Sequence, residues 1–133
     1  MRKLEYSVLF LCLFSLASIS KAGDLLYDCV IKHVYDVDDM GNLKASGWQK
    51  EFKSNKFTVT RETGKITGQT LTTVLAKNTR VINIGSKENS FKAVAEFEGQ
   101  FQLIEIQEFK KGTKKPFVAS SMGGAGIVTG TCE

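Results

Sequence analysis

Leu25-Leu26-Tyr27-Asp28-Cys29-Val30-Ile31-Lys32-His33-Val34-Tyr35 and, a hundred residues later, Ile127-Val128-Thr129-Gly130-Thr131-Cys132 decide the fold. In the first run Leu25, Tyr27, Cys29, Ile31, His33 and Tyr35 recur with period two, while Asp28, Lys32 and Asp36 take the other parity. That alternation predicts a half-buried strand with Cys29 pointing inward. The second run predicts a closing strand that ends on Cys132. A disulfide between the two cysteines needs their Cα atoms within ~7 Å, which draws the first and last strands together and removes exposed edges.

Outward from these ends, the chain reads as short strands separated by glycine-containing turns. Phe57 and Val59 alternate with Thr58 and Thr60. Glu62-Thr63-Gly64-Lys65 then offers a hairpin turn before Ile66, with glycine free to take positive φ. Residues 70–77 fit a helical turn and a strand equally well, and both readings stand. Residues 80–84 predict a strand, 85–89 a polar turn, and Phe91, Ala93, Ala95 and Phe97 one face of the next strand. Glu98-Gly99-Gln100 turns the chain into 101–109, read as a central strand because Leu103, Ile104 and Ile106 put apolar groups on both faces. A polar loop at 110–115 leads to Pro116 at a strand start, where a missing N–H does least harm. Residues 117–122 continue that strand and 123–126 make the last turn. The fold class is all-β: a small antiparallel meander forming a closed or nearly closed barrel of about eight strands, with an end-to-end disulfide.

The first 22 residues read differently. Arg2 and Lys3 precede an uncharged apolar run at 8–17, and Ser20-Lys21-Ala22 supplies the small residues of a signal-peptidase site. The run is shorter than the ~20 residues that span a bilayer. Residues 1–22 are therefore expected to be a signal peptide, and 23–133 a single β-barrel-like domain with no membrane span. Cys12 lies behind bulky Leu11, against lipidation. Its removal leaves two cysteines, which in an exported chain form one disulfide. The expected location is the periplasm or the extracellular medium. Of the whole chain's 18 basic and 14 acidic residues, the leader removes Arg2, Lys3, Glu5 and Lys21, so the remaining balance is nearly neutral. Only Arg61 and Arg80 remain as arginines, and no basic stripe is interleaved with aromatics, so no nucleic-acid partner is expected.

No catalytic motif or cofactor fingerprint stands out. His33 is the only histidine and shares a face with apolar neighbours. Asp36-Val37-Asp38-Asp39-Met40-Gly41 lacks the oxygen ligands of a calcium loop at Met40 and Gly47, and reads as a solvated turn. Glu105 and Glu108 have opposite parity in the predicted strand, so they do not pair there. The expectation is a protein that is not an enzyme, with no cofactor and no metal. Trp48, an amphipathic ring flanked by Lys44, Lys50 and Lys53, and the cluster Lys110, Lys111, Lys114 and Lys115 are the candidate partner-binding residues.

Tyr27-Asp28-Cys29, Asn89-Ser90-Phe91-Lys92 and Val128-Thr129-Gly130-Thr131-Cys132 resemble small exported disulfide-containing β proteins of Gram-negative bacteria. The plan is also similar to that of periplasmic lysozyme inhibitors, although their inhibitory serine-glycine-tyrosine segment is absent and Ser46-Gly47-Trp48 carries no residue across. The expected function is a binding module for a protein partner, of the inhibitor or immunity type against a hydrolase or toxin. The alternative is a lipocalin-like carrier whose barrel interior holds a small apolar ligand.

Overall fold

A computed structural model describes residues 25–120 and 126–133. The expected signal peptide with Cys12, strand residues 121–122 and most of the 123–126 turn lie outside the described residues. Nine strands and one short helix follow in order: β1 (Leu26–Val37), β2 (Leu43–Ala45), α1 (Gln49–Phe52), β3 (Lys56–Thr60), β4 (Ile66–Gly68), β5 (Asn78–Ile84), β6 (Phe91–Phe97), β7 (Gln100–Ile106), β8 (Lys115–Ser120) and β9 (Ile127–Cys132). All pair antiparallel in one strongly curved sheet of order β4-β3-β1-β9-β8-β7-β6-β5, with β2 beside the far end of β1.

Cys29 and Cys132 are direct cross-strand partners and form the disulfide, with Cα atoms 4.0 Å apart. The neighbouring residues explain the fit. Asp28 and Glu133 exchange both amide–carbonyl bonds, at 2.8 and 2.9 Å, so the next pair along is the closely spaced kind in which side chains approach most nearly. The first and last strands are therefore joined, as the cysteines predict. They meet in the middle of the sheet, however, and its edges are β4 and β5, consecutive in the chain. The cyclic order is that of a barrel opened between β4 and β5.

Where a single parity is apolar, the alternation holds: Phe91, Ala93 and Ala95 are buried and Lys92 and Glu96 exposed. Glu98-Gly99 makes a two-residue hairpin between Phe97 and Gln100, and Gly99 takes φ 70°. The expected hairpin after β3 also forms, with Gly64 at φ 72°. Residues 70–77 are neither helix nor strand but a loop that buries Leu71 and Thr73. Pairing in β1 slips at Lys32, where Ile31 opposes Gly130 and His33 already opposes Thr129. This bulge reverses the inward parity, so Val34 is buried and His33, expected to share the inner face, is exposed.

The interior is filled by side chains. Phe57 and Phe117 meet edge to face at 5.1 Å, Tyr27 tilts against Phe91 at 5.1 Å, and Ile31, Val34, Val59 and Ile106 are fully enclosed. Gly130 lies under the Phe117 ring and against the Val30 carbonyl, where a Cβ would fall 2.0 Å from that oxygen.

Candidate functional site

Trp48 immediately precedes α1, a helix absent from the sequence reading. It is 45% exposed and stacks on Phe52 with ring centroids 5.3 Å apart. The helix is held by Gln49. Between the stretches of β1 that pair with β3 and β2, the Gln49 side chain accepts the Val34 N–H at 2.5 Å and donates to the Lys32 carbonyl at 3.0 Å. It thus stands in for a missing strand residue at the bulge and leaves Trp48 facing outward.

The lysine loop lies elsewhere. It follows β7 and leads into β8, whose first residue, Lys115, pairs with Cys132. That register sets the loop beyond the Cys29 end of β1, whereas Trp48 hangs beside Lys32–Val34 toward the other end. The two candidate contacts are not brought together at one barrel mouth. Lys110, Lys111 and Lys114 are exposed, and the Lys115 ammonium donates to the Lys110 carbonyl at 2.5 Å, closing the loop on itself. His33 stacks on Tyr35 with ring centroids at 5.8 Å. Asp38 accepts amides of Met40 and Asn42 at 2.9 and 2.8 Å, the solvated turn expected, and these bonds hold its carboxyl below the usual carboxylate range, the Asn42 amide first. Among the described residues no group of three His, Cys, Asp or Glu side chains could hold a metal ion, and no helix is long and apolar enough to cross a membrane.

Three features escape the sequence reading. The first is a latch at the Cys29 end. Glu108 lies past the end of β7 and folds inward to accept the Tyr27 hydroxyl. Arg61, from the β3–β4 turn, meets the same carboxylate at 2.9 Å, lies over the Tyr27 ring at 4.6 Å and donates to the Ile84 carbonyl at the end of β5, at 3.5 Å. Burial, and then the Glu108 hydrogen bond, push the Tyr27 phenol well above its ordinary range.

The second is an apolar outer face. Register puts Leu103 beside Val94 and Ser120, and Val118 beside Glu105 and Thr129. Phe101 and Leu103 are 59% and 49% exposed, and Ile82 and Val118 are exposed beside them. A hollow of about 350 Å³, lined by Ile82, Leu103, Val118 and Ile127 with Lys92 and Glu105 at its margin, opens on this face. The alternation of β7 signalled it: Leu103 has the parity opposite to Ile104 and Ile106, and only the choice between buried and exposed was open.

The third is the seam. A groove of about 850 Å³ runs between β4 and β5, lined by 62–67 and 73–81 apart from Gly64 and Leu75. Its two walls differ. Thr73 covers the β4 edge: its hydroxyl accepts the Ile66 N–H at 2.9 Å and its own N–H donates to the Ile66 carbonyl at 2.9 Å. Among the described residues β5 pairs with β6 alone. Set against protein-family models, curated proteins and solved structures, the chain matches none.

Proposed function

We propose that the chain is an exported binding module, without catalytic activity of its own, that recognises a protein partner through the outer face of β5–β8. The observation that carries this reading is the set of exposed Ile82, Leu103 and Val118 around a hollow that Lys92 and Glu105 also line, with exposed Phe101 on the same face of β7. Contiguous exposed apolar surface rimmed by polar groups is the composition of protein interfaces. The disulfide fits an oxidising compartment, and we assign the chain to the periplasm or the extracellular medium. An exported hydrolase or toxin is the partner class we favour, as for an inhibitor or immunity-type protein. The carrier alternative has less support, because the interior is occupied by Phe57, Phe91, Phe117 and Ile106, as small barrels often are.

The test uses a photoreactive amino acid placed singly at positions 103, 48, 114 and, as a control, 40, with illumination in the original host. The expected result is a discrete protein adduct from position 103, lost when Val118→Lys is added, and none from position 40. Absence of a protein adduct from 103, 48 and 114 alike would overturn the protein-binding reading. Adducts from 48 or 114 alone would move the interface away from the apolar face.

A further inference from the structure

The β4/β5 groove is a place where the sheet stops without being finished. Along β5 the inner edge bonds to β6, while the outer edge between Asn78 and Val81 receives no backbone hydrogen bond from the described residues. Beyond Val81 the edge changes character. Ile82 is the extra residue of a bulge opposite the Ala93–Lys92 step of β6, and the Ile84 carbonyl accepts from Arg61. A bulge disrupts the regular spacing that a neighbouring strand needs. The stretch that can accept a strand is thus 78–81, and these four residues all line the groove.

Charge indicates what would lie there. The groove is lined by Lys65, Lys77 and Arg80 against a single carboxylate, Glu62. Glu98 stands 3.8 Å from the Lys77 ammonium, but both side chains are largely exposed and the pair is loose. A second copy of this chain is disfavoured as occupant, because antiparallel pairing of two β5 edges sets the Lys77–Arg80 segments against each other, and facing like charges destabilise a sheet. An acidic strand meets the opposite condition. Val74, strongly exposed in the loop and part of the groove's lining, adds apolar contact there.

We propose that the β4/β5 seam is a strand-addition site, in which an extended, acidic segment of a partner polypeptide pairs with Asn78–Val81 and lies in the groove against the Thr73-capped wall of β4. The backbone ladder to β5 supplies the hold, and carboxylates on the incoming segment read Lys65, Lys77 and Arg80. This deepens the protein-binding reading and rests on it, but at a different surface from the Leu103–Val118 face. Because Ile82 belongs to both β5 and that face, one partner can cover the two together.

The test titrates isotope-labelled, disulfide-bonded protein with an end-blocked octapeptide of alternating Thr and Glu, its Thr/Lys counterpart, and the acidic peptide N-methylated at alternate amides. Amide chemical shifts and hydrogen exchange are followed by NMR. The expected result is saturable shifts and slowed exchange at 78–81 with the acidic peptide only, and at least about ten-fold weaker binding to Lys77→Glu/Arg80→Glu protein, equivalent to about 1.4 kcal/mol. Equal binding of the N-methylated peptide, equal shifts with inorganic polyphosphate, shifts centred on Leu103 and Val118, or no saturable binding would each overturn strand addition. A position-103 adduct with no peptide binding removes the seam inference alone; loss of all photo-adducts as well removes both readings.

Discussion

The β1/β9 junction and the β4/β5 junction are the two places where this barrel could open, and only the second does. At the first, six residue pairs, a disulfide and the close approach of Gly130 to Val30 bind strands that are 103 residues apart at their cysteines. At the second, strands that follow one another in the chain share no ladder among the described residues; the Arg61 side chain, 29% exposed, reaches the Ile84 carbonyl there, and the Gly64 turn packs against Arg80 and Ala93. Closeness in sequence does not decide which strands pair. Here the short β4 is capped by Thr73, so its Ile66 backbone groups are taken before β5 could pair with them.

The largest effect should come from the closed junction. Reduction, or Cys29→Ala/Cys132→Ala, releases a loop of 103 residues and should lower stability by up to about 4 to 5 kcal/mol. Denaturant melts with and without reductant measure this, and coincident curves would mean that the ladder alone holds the ends. At the open junction, Arg61→Ala removes the ion pair of the largely buried Glu108 carboxylate, which keeps the Tyr27 hydroxyl as its partner, and should cost about 1 to 3 kcal/mol. Hydrogen exchange should then rise first in β5 while β1 and β9 stay protected. Uniform acceleration would show that the two junctions are not energetically separate.

The smallest effect is one of pH. Tyr27 holds its proton more tightly in the folded state than the ordinary phenol value of 10.0 allows. Its contribution is therefore fully present below pH 10 and is lost as pH rises above it. Between pH 10 and 11 the wild type should lose about 1 kcal/mol more than Tyr27→Phe. Parallel alkaline melts for the two proteins would deny the buried contact with Glu108.

These contrasts also mark what could be read from the residues. Strands with one apolar parity, such as Phe91, Ala93 and Ala95 against Lys92 and Glu96, declared their faces, and Cys29 with Cys132 declared that the ends meet. The Lys32 bulge was hidden because His33 and Tyr35 continue the apolar parity while Val34 offers the other, so both registers look plausible until Gly130 admits the slip. The Tyr27–Glu108–Arg61 latch joins three elements far apart in the chain, and nothing local at Glu108 distinguishes it from a surface carboxylate. Trp48 and the lysine loop were visible as residues, but their separation follows from strand direction, which local pattern does not carry.

The cyclic strand order has a kinetic side. β5 to β9 form a meander in which each strand pairs with its neighbour in sequence, so that half needs only short loops to close. β1 must wait for β9 before its long ladder can zip, which raises contact order and slows the final step. Because the Cys29–Cys132 bond joins the first strand to the last, its oxidation becomes a late event that records arrival of the last strand.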